Sequence, residues 1–227
     1  MKGVRTLFPF TSWCWMLLGT SFVLHGGLAL AVDFKGEAFV LEQLSAPPWI
    51  LRTILLIWET AAPCAFLVSA VIRYFIWPMV LYKGTGDTSG LKHPRMIMPH
   101  NFNSLFVLTE MALLGGLPVR LSEMYLGPIY GVIYVLIAWN LTHFWTEKES
   151  GPHFIYFFLD TTRGLATTGA LVALTTVLTL FYVVLSSAKG GLDYLPIYFE
   201  AKDSIGLLFC HVVFVLGIAS LVMRFRD

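Results

Sequence analysis

His100, Asn103, Ser104 and Glu110 fall within one apolar stretch of the chain. At helical spacing, positions 100, 103 and 104 share a face, and Glu110 lies seven residues beyond Asn103 on the same stripe. One helix face then carries an imidazole, an amide, a hydroxyl and a carboxyl. Imidazole is the side chain suited to moving a proton near neutral pH, and a hydroxyl becomes a nucleophile when such a base takes its proton. Asn140 and His143, three residues apart, form a second polar pair, and Glu59 is a lone carboxyl in another apolar stretch. Ionisable groups in such settings are expensive and are functional candidates by default. If ionised, Glu59 and Glu110 need a cation or several donors. If neutral, each is a glutamic acid hydrogen-bonding across a helix–helix contact, an ordinary form of packing in membranes.

The elements that position these groups follow from composition. The 227 residues are 57% hydrophobic and 13% charged, with a mean hydropathy of +0.73. A soluble domain carries about 25% charged residues, so there is too little polar surface here to coat a globule in water. Six apolar segments, at about 12–32, 51–77, 100–119, 126–145, 165–185 and 205–223, each approach the roughly 20 residues that cross a bilayer core. They are continuous rather than alternating, which excludes a β-barrel. The expected fold is an all-α helical bundle, a single transmembrane domain over 1–227 with both termini on one side. Pro63 is a candidate kink in the second segment. The first segment, preceded by Lys2 and Arg5, is too long for a signal h-region and is expected to be retained.

Positive charge in the short loops sets the orientation. With the N-terminus inside, the outer side receives only Lys35, Arg52, Arg120, Lys189 and Lys202 of the fifteen Lys and Arg residues. His100 and His143 then lie near the inner surface, placed to line one inward-opening cavity. Cys14, Cys64 and Cys210 sit singly inside apolar runs, with neither a disulfide framework nor a zinc spacing. His25 and His211 are the one pair whose depth fits haem ligation, but nothing else supports it, and no cofactor is expected. A net charge of +1 offers no basic face for nucleic acid.

The middle of the chain, about 10–160, resembles the androgen-induced-protein family and the related rolling stone-like proteins. The resemblance rests on Pro99-His100-Asn101-Phe102-Asn103-Ser104 leading to Glu110-Met111, and on Gly127-Pro128-Ile129-Tyr130 through Trp139. Tyr156-Phe157-Phe158-Leu159-Asp160, the helix at 63–77 and Phe10-Thr11-Ser12-Trp13-Cys14-Trp15 add to it. It implies a multi-pass membrane hydrolase that cleaves fatty-acid esters of hydroxy fatty acids with a threonine nucleophile and a histidine, here His100. The family's threonine follows a tryptophan by four residues, a pattern that Trp49 and Thr53 fit. Thr53 begins the second segment at the outer surface, on the order of 25–30 Å from His100. Matching the helices in order puts Leu17 at the nucleophile position instead, and Thr20, one turn on, is the remaining candidate.

Two functions follow as expectations. The first, which the missing nucleophile and minimal loops favour, is a non-catalytic accessory subunit of a larger membrane complex, with membrane lipids and other membrane subunits as partners. The second is an intramembrane lipid-ester hydrolase using His100 and Thr20, with Asn103, Ser104, Glu110, Asn140, His143 and Glu59 as binding residues. A solute or proton pathway through Glu59 and Glu110 ranks third, since no discontinuous or repeated helices mark a transport site. The endoplasmic reticulum or an organellar inner membrane is the expected location.

Overall fold

A computed structural model of the chain describes residues 6–38, 42, 49–83, 86–114, 116–145, 154–198 and 204–227. Every regular element among them is helical. We number six principal helices. α1 spans Phe10–Lys35, α4 spans Leu126–Asn140, α5 spans Leu165–Tyr198 and α6 spans Ser204–Val222. α2 is composite: Trp49–Val71, a π turn at Ile72–Ile76, then Trp77–Lys83. α3 strings together Pro94–Ile97, a π turn at Met98–Phe102, Asn103–Thr109 and a second π turn at Glu110–Leu114.

Five of the six (all but α3) are long and apolar enough to cross a membrane. This all-α bundle fits an integral membrane protein. α3 differs because its polar stripe dilutes its apolar content. It is nonetheless well buried, wedged between α2 and α6. Where a segment ending at 119 was expected, α3 runs over 94–114. Pro94 opens it at a first-turn position that needs no amide donor, and the His93 side chain accepts from the Arg95 amide. Gly116 closes it: its positive φ of 64° swings the amide back onto the Glu110 carbonyl at 2.9 Å.

α2 is the mast. It touches each of the other five helices, and 61% of its apolar core is buried against 11–22% for the other four spanning candidates. Every residue from Trp58 to Ala70 is buried, and six of the thirteen are small: Ala61, Ala62, Cys64, Ala65, Ser69 and Ala70. Small side chains let neighbouring backbones approach closely, the principal source of helix association where lipid is as apolar as leucine. Pro63 lies inside an unbroken helical stretch, so the break comes later than expected, at the π turn.

α1 lies antiparallel on α2, with Phe22 against Trp58 (ring centroids 6.3 Å) and Cys14 hydrogen-bonded to Cys64. The expected fifth segment ended at 185, but α5 continues to Tyr198. Lys189 and Asp193 pair one turn apart and sustain the helix past the apolar run. At 1.5 Å per residue its 34 residues reach about 51 Å, beyond a hydrocarbon core of about 30 Å.

Phe10 packs with Val71, and Arg73 reaches α6 at Ser220 and Met223, so the start of α1 and the end of α6 share one end of the bundle. There the last carbonyls of α6, which have no partner within their own helix, receive side chains from α2. The Arg73 guanidinium donates to the carbonyls of Ser220 and Met223, and the Tyr74 hydroxyl to that of Leu221. The chain after α6 is held by Asn101, whose amide donates to the Arg224 carbonyl at 2.7 Å. Asp227 accepts from Lys92, from Thr88 at 2.6 Å and from the Trp77 indole at 3.1 Å.

Two predictions follow from this packing. A Cβ on Gly127 would lie 3.1 Å from the Leu178 side chain, so Gly127→Leu pushes α4 off α5. It should cost about 1–3 kcal/mol, read as a lower thermal midpoint in detergent. The Lys92 ammonium, with the Thr88 hydroxyl and the Trp77 indole, pulls the Asp227 carboxyl down to about 2. Because the folded value is depressed, the contribution of this clamp is complete above the unfolded value of about 4. It is lost as pH falls towards 2. Trp77 fluorescence, followed with the other tryptophans replaced by Phe, should report that release, and Asp227→Asn should abolish it.

Candidate functional site

Two polar clusters lie along α2. The first joins α2 to α3. The Ser69 hydroxyl lies 2.6 Å from the His100 carbonyl, 3.0 Å from Asn103 Oδ1 and 2.7 Å from the Ser104 hydroxyl. Ser104 Oγ also reaches the Ala65 carbonyl at 3.1 Å, and its amide donates to Asn103 Oδ1 at 2.7 Å. Each hydroxyl owns one proton, so the pair shares its two protons among these acceptors. Ser69, Asn103 and Ser104 have no exposed surface, and His100 is buried. The backbone amide of Ser104 can only donate, which fixes the Asn103 oxygen towards it. The amide nitrogen of Asn103 is left buried with no partner among the described residues.

Of the expected stripe, the Asn103 and Ser104 side chains share one face, just after the π turn at Met98–Phe102. What it faces is α2, not a cavity. His100 meets Ser69 through its backbone carbonyl, while its imidazole bonds to the Met96 backbone one turn earlier. No hydroxyl in the cluster is hydrogen-bonded to the ring, the arrangement in which a base activates a nucleophile. Glu110 is buried at the second π turn, ten residues or about 15 Å further along α3 than His100.

Other expected members stand apart. Thr20 is exposed on the lipid side of α1, in line with exposed Met16, Val23 and Leu30. Cys14, Leu18 and Ser21 form the buried side of that helix. A residue adjacent to Ser21 is turned about 100° from it, which takes Thr20 away from the α3 stripe. Asn140 is exposed and donates to its own Leu136 carbonyl at 2.7 Å, so it does not join His100 in an inward-opening cavity. The side chain of His143 lies outside the described residues. His25 bonds within α1 to Ser21. Among the described residues no group of three His, Cys, Asp or Glu side chains gathers as a metal site would.

The second cluster lies nearer the start of α2, at Glu59. Glu59, with no exposed surface, receives the Arg120 guanidinium on both oxygens, Nε at 2.9 Å and Nη2 at 2.8 Å. The Arg120 backbone amide adds a third bond at 2.7 Å. Of the two possibilities for Glu59, the structure supplies the cation. Glu123 is buried beside it, 4.0 Å from Arg120 and 3.6 Å from Arg52, and accepts from the Tyr125 hydroxyl at 2.6 Å.

Ser69, Asn101 and Arg120 are the polar residues here that sequence reasoning missed. A single serine in an apolar run carries no spacing signal. Arg120 sits in a loop, where arginine is commonplace. Its one signal was position, at the mouth of the segment opposite a buried carboxylate.

Fold and site together define a multi-pass helical bundle whose interior polar groups tie helix to helix. No family model, characterised protein or solved structure matches the chain.

Removing one partner of a buried ion pair strands the other. Arg120→Ala should therefore destabilise the bundle by about 2–3 kcal/mol, less than for a fully buried pair because the Arg120 side chain is 39% exposed. Glu59→Gln added to it should recover most of the loss. Thermal midpoints of the two single variants and the double variant in one detergent measure the coupling. Equal losses for Arg120→Ala and the double variant would show that the carboxylate does not depend on its guanidinium.

Proposed function

We propose that the chain is a non-catalytic accessory subunit of a larger membrane protein complex, built on an androgen-induced-protein-like bundle. The observation that carries this reading is the outward face of α5. Thr168, Gly169, Val172, Ala173 and Thr176 are exposed along its first half, and a Cβ on Gly169 would meet nothing within 4 Å. Such a surface lets another helix approach closely. Its hydroxyls raise no obstacle, because Thr175, Thr176 and Thr179 already donate to carbonyls one turn back, at 2.8, 2.9 and 3.0 Å.

The spending of the α3 stripe on packing supports the same reading. The alternative, an intramembrane lipid esterase, needs a hydroxyl at the imidazole of His100. Thr20 is exposed, Ser69 addresses the backbone carbonyl of His100 rather than its ring, and the Ser104 hydroxyl meets Ser69 and the Ala65 carbonyl.

Extraction of the full-length protein from its native membrane in mild detergent should give a stoichiometric assembly. Gly169→Leu with Ala173→Leu should release the chain from that assembly and leave its helical content unchanged. A wild-type chain that elutes as a free monomer overturns the proposal. Fluorophosphonate labelling that is abolished by His100→Ala would establish the esterase instead.

A further inference from the structure

The end of the bundle where α6 terminates holds an open cavity of about 380 Å³, lined by Arg73, Met223, Arg224, Phe225, Arg226 and Asp227. That volume is within the range of small-molecule sites, about 300–1,000 Å³. Three of its six lining residues are arginines. Among the described residues none of the three is paired with a carboxylate. Asp227, the one acid in the lining, is already engaged. Its Oδ1 accepts from Thr88 and Trp77 and its Oδ2 from Lys92.

Two of the arginines are held in place before any ligand arrives. Arg73 uses one terminal nitrogen on the carbonyls of Ser220 and Met223 and lies over the Tyr74 ring, 5.2 Å from its centroid. Its other terminal nitrogen and Nε remain. Arg224 lies 5.3 Å from the Trp77 ring centroid and spends Nε on the Arg226 carbonyl at 2.9 Å, keeping both terminal nitrogens. Stacked, backbone-anchored guanidinium groups lose little freedom on binding and present their donors in a planar fork that matches phosphate oxygens.

Phe225 in the lining and Tyr74 next to Arg73 are exposed, and exposed aromatic rings are enriched at the membrane–water interface. The surplus of positive charge in the loops assigns this end to the inner side, whose leaflet carries the anionic lipids. We infer that the cavity between α2 and the chain following α6 binds the phosphate of an anionic phospholipid headgroup through Arg73, Arg224 and Arg226. The acyl chains of that lipid lie along the apolar outer surface of the bundle.

The test uses the full-length protein in detergent with equal phosphatidylglycerol and phosphatidylcholine, and native mass spectrometry to count retained lipid. Phosphatidylglycerol should be retained at least about tenfold over phosphatidylcholine. Arg224→Gln with Arg226→Gln should abolish the preference while leaving the thermal midpoint in phosphatidylcholine unchanged. If the double variant fails to fold, Arg226→Gln alone decides, because that side chain is exposed and makes no structural bond among the described residues. It should lower the preference several-fold, and Arg226→Lys should restore part of it. Equal retention of the two lipids by the wild type, or a preference unchanged in the folded variants, overturns the inference. Complete displacement of phosphatidylglycerol by millimolar inorganic phosphate would assign the cavity to a free anion and overturn the lipid.

Discussion

Glu59 has no exposed surface and carries a carboxylate, so its charge must be answered inside the bundle. Arg120 answers it from the short connection between α3 and α4, with two guanidinium nitrogens and its own backbone amide. That triple contact ties the connection to α2 at Glu59. Glu123 stands beside the pair and accepts from the Tyr125 hydroxyl. A water-soluble bundle could solvate such a carboxylate by loosening locally. Here the surroundings are apolar, so the ion pair and the helix arrangement depend on each other.

The same constraint operates along the rest of α2. The run from Trp58 to Ala70 is buried throughout, and a polar group it carries is met either within its own helix, as Thr60 is by the Leu56 carbonyl, or by a neighbouring element. Ser69 does so on α3, whose π turn at Met98–Phe102 brings the His100 carbonyl, Asn103 and Ser104 round to it. Further along α2, Arg73 and Tyr74 supply the donors that the last carbonyls of α6 lack. A cation at a helix C-terminus also opposes the negative end of the helix dipole. α2 thus makes a polar tie at each of three depths, and each tie recruits a different partner: the 3–4 connection, α3 and α6. Further polar contacts, among them the Trp77 indole on Asp227 and Asn101 on the Arg224 carbonyl, add to these three in holding the helices in register.

How much of this was legible in the sequence depended on whether the signal was a pattern or a single residue. Continuous apolar length disclosed α1, α2, α4, α5 and α6, because lipid solvates nothing else. The ends were read less well. Apolarity reports where the lipid stops, whereas a helix stops where its hydrogen bonds do. α5 continues through Lys189 and Asp193 for that reason, and α3 begins at Pro94, before its apolar stretch. The polar stripe of α3 was legible from the spacing of positions 100, 103 and 104. Its destination was not, since spacing says that three groups share a face and nothing of what the face meets. Ser69, the residue it meets, is one polar letter among apolar ones. Thr20 shows the converse error, because depth in the membrane was matched without rotation about the helix axis.

That distinction bears on chemistry as much as on packing. A hydrolytic site in lipid would need its base free to accept a proton and its nucleophile adjacent to that base, with room between them for an ester carbonyl. The α3 stripe contains the right residue types and uses them differently. Its hydroxyls are turned to backbone carbonyls, its amide oxygen to a backbone amide, and its imidazole to the turn before. Groups spent in this way lower the cost of burying polar atoms and hold two helices in register. They cannot do that and also rearrange around a substrate without releasing the helices they join. The polar interior of this protein is therefore best understood as the fastening of its mast.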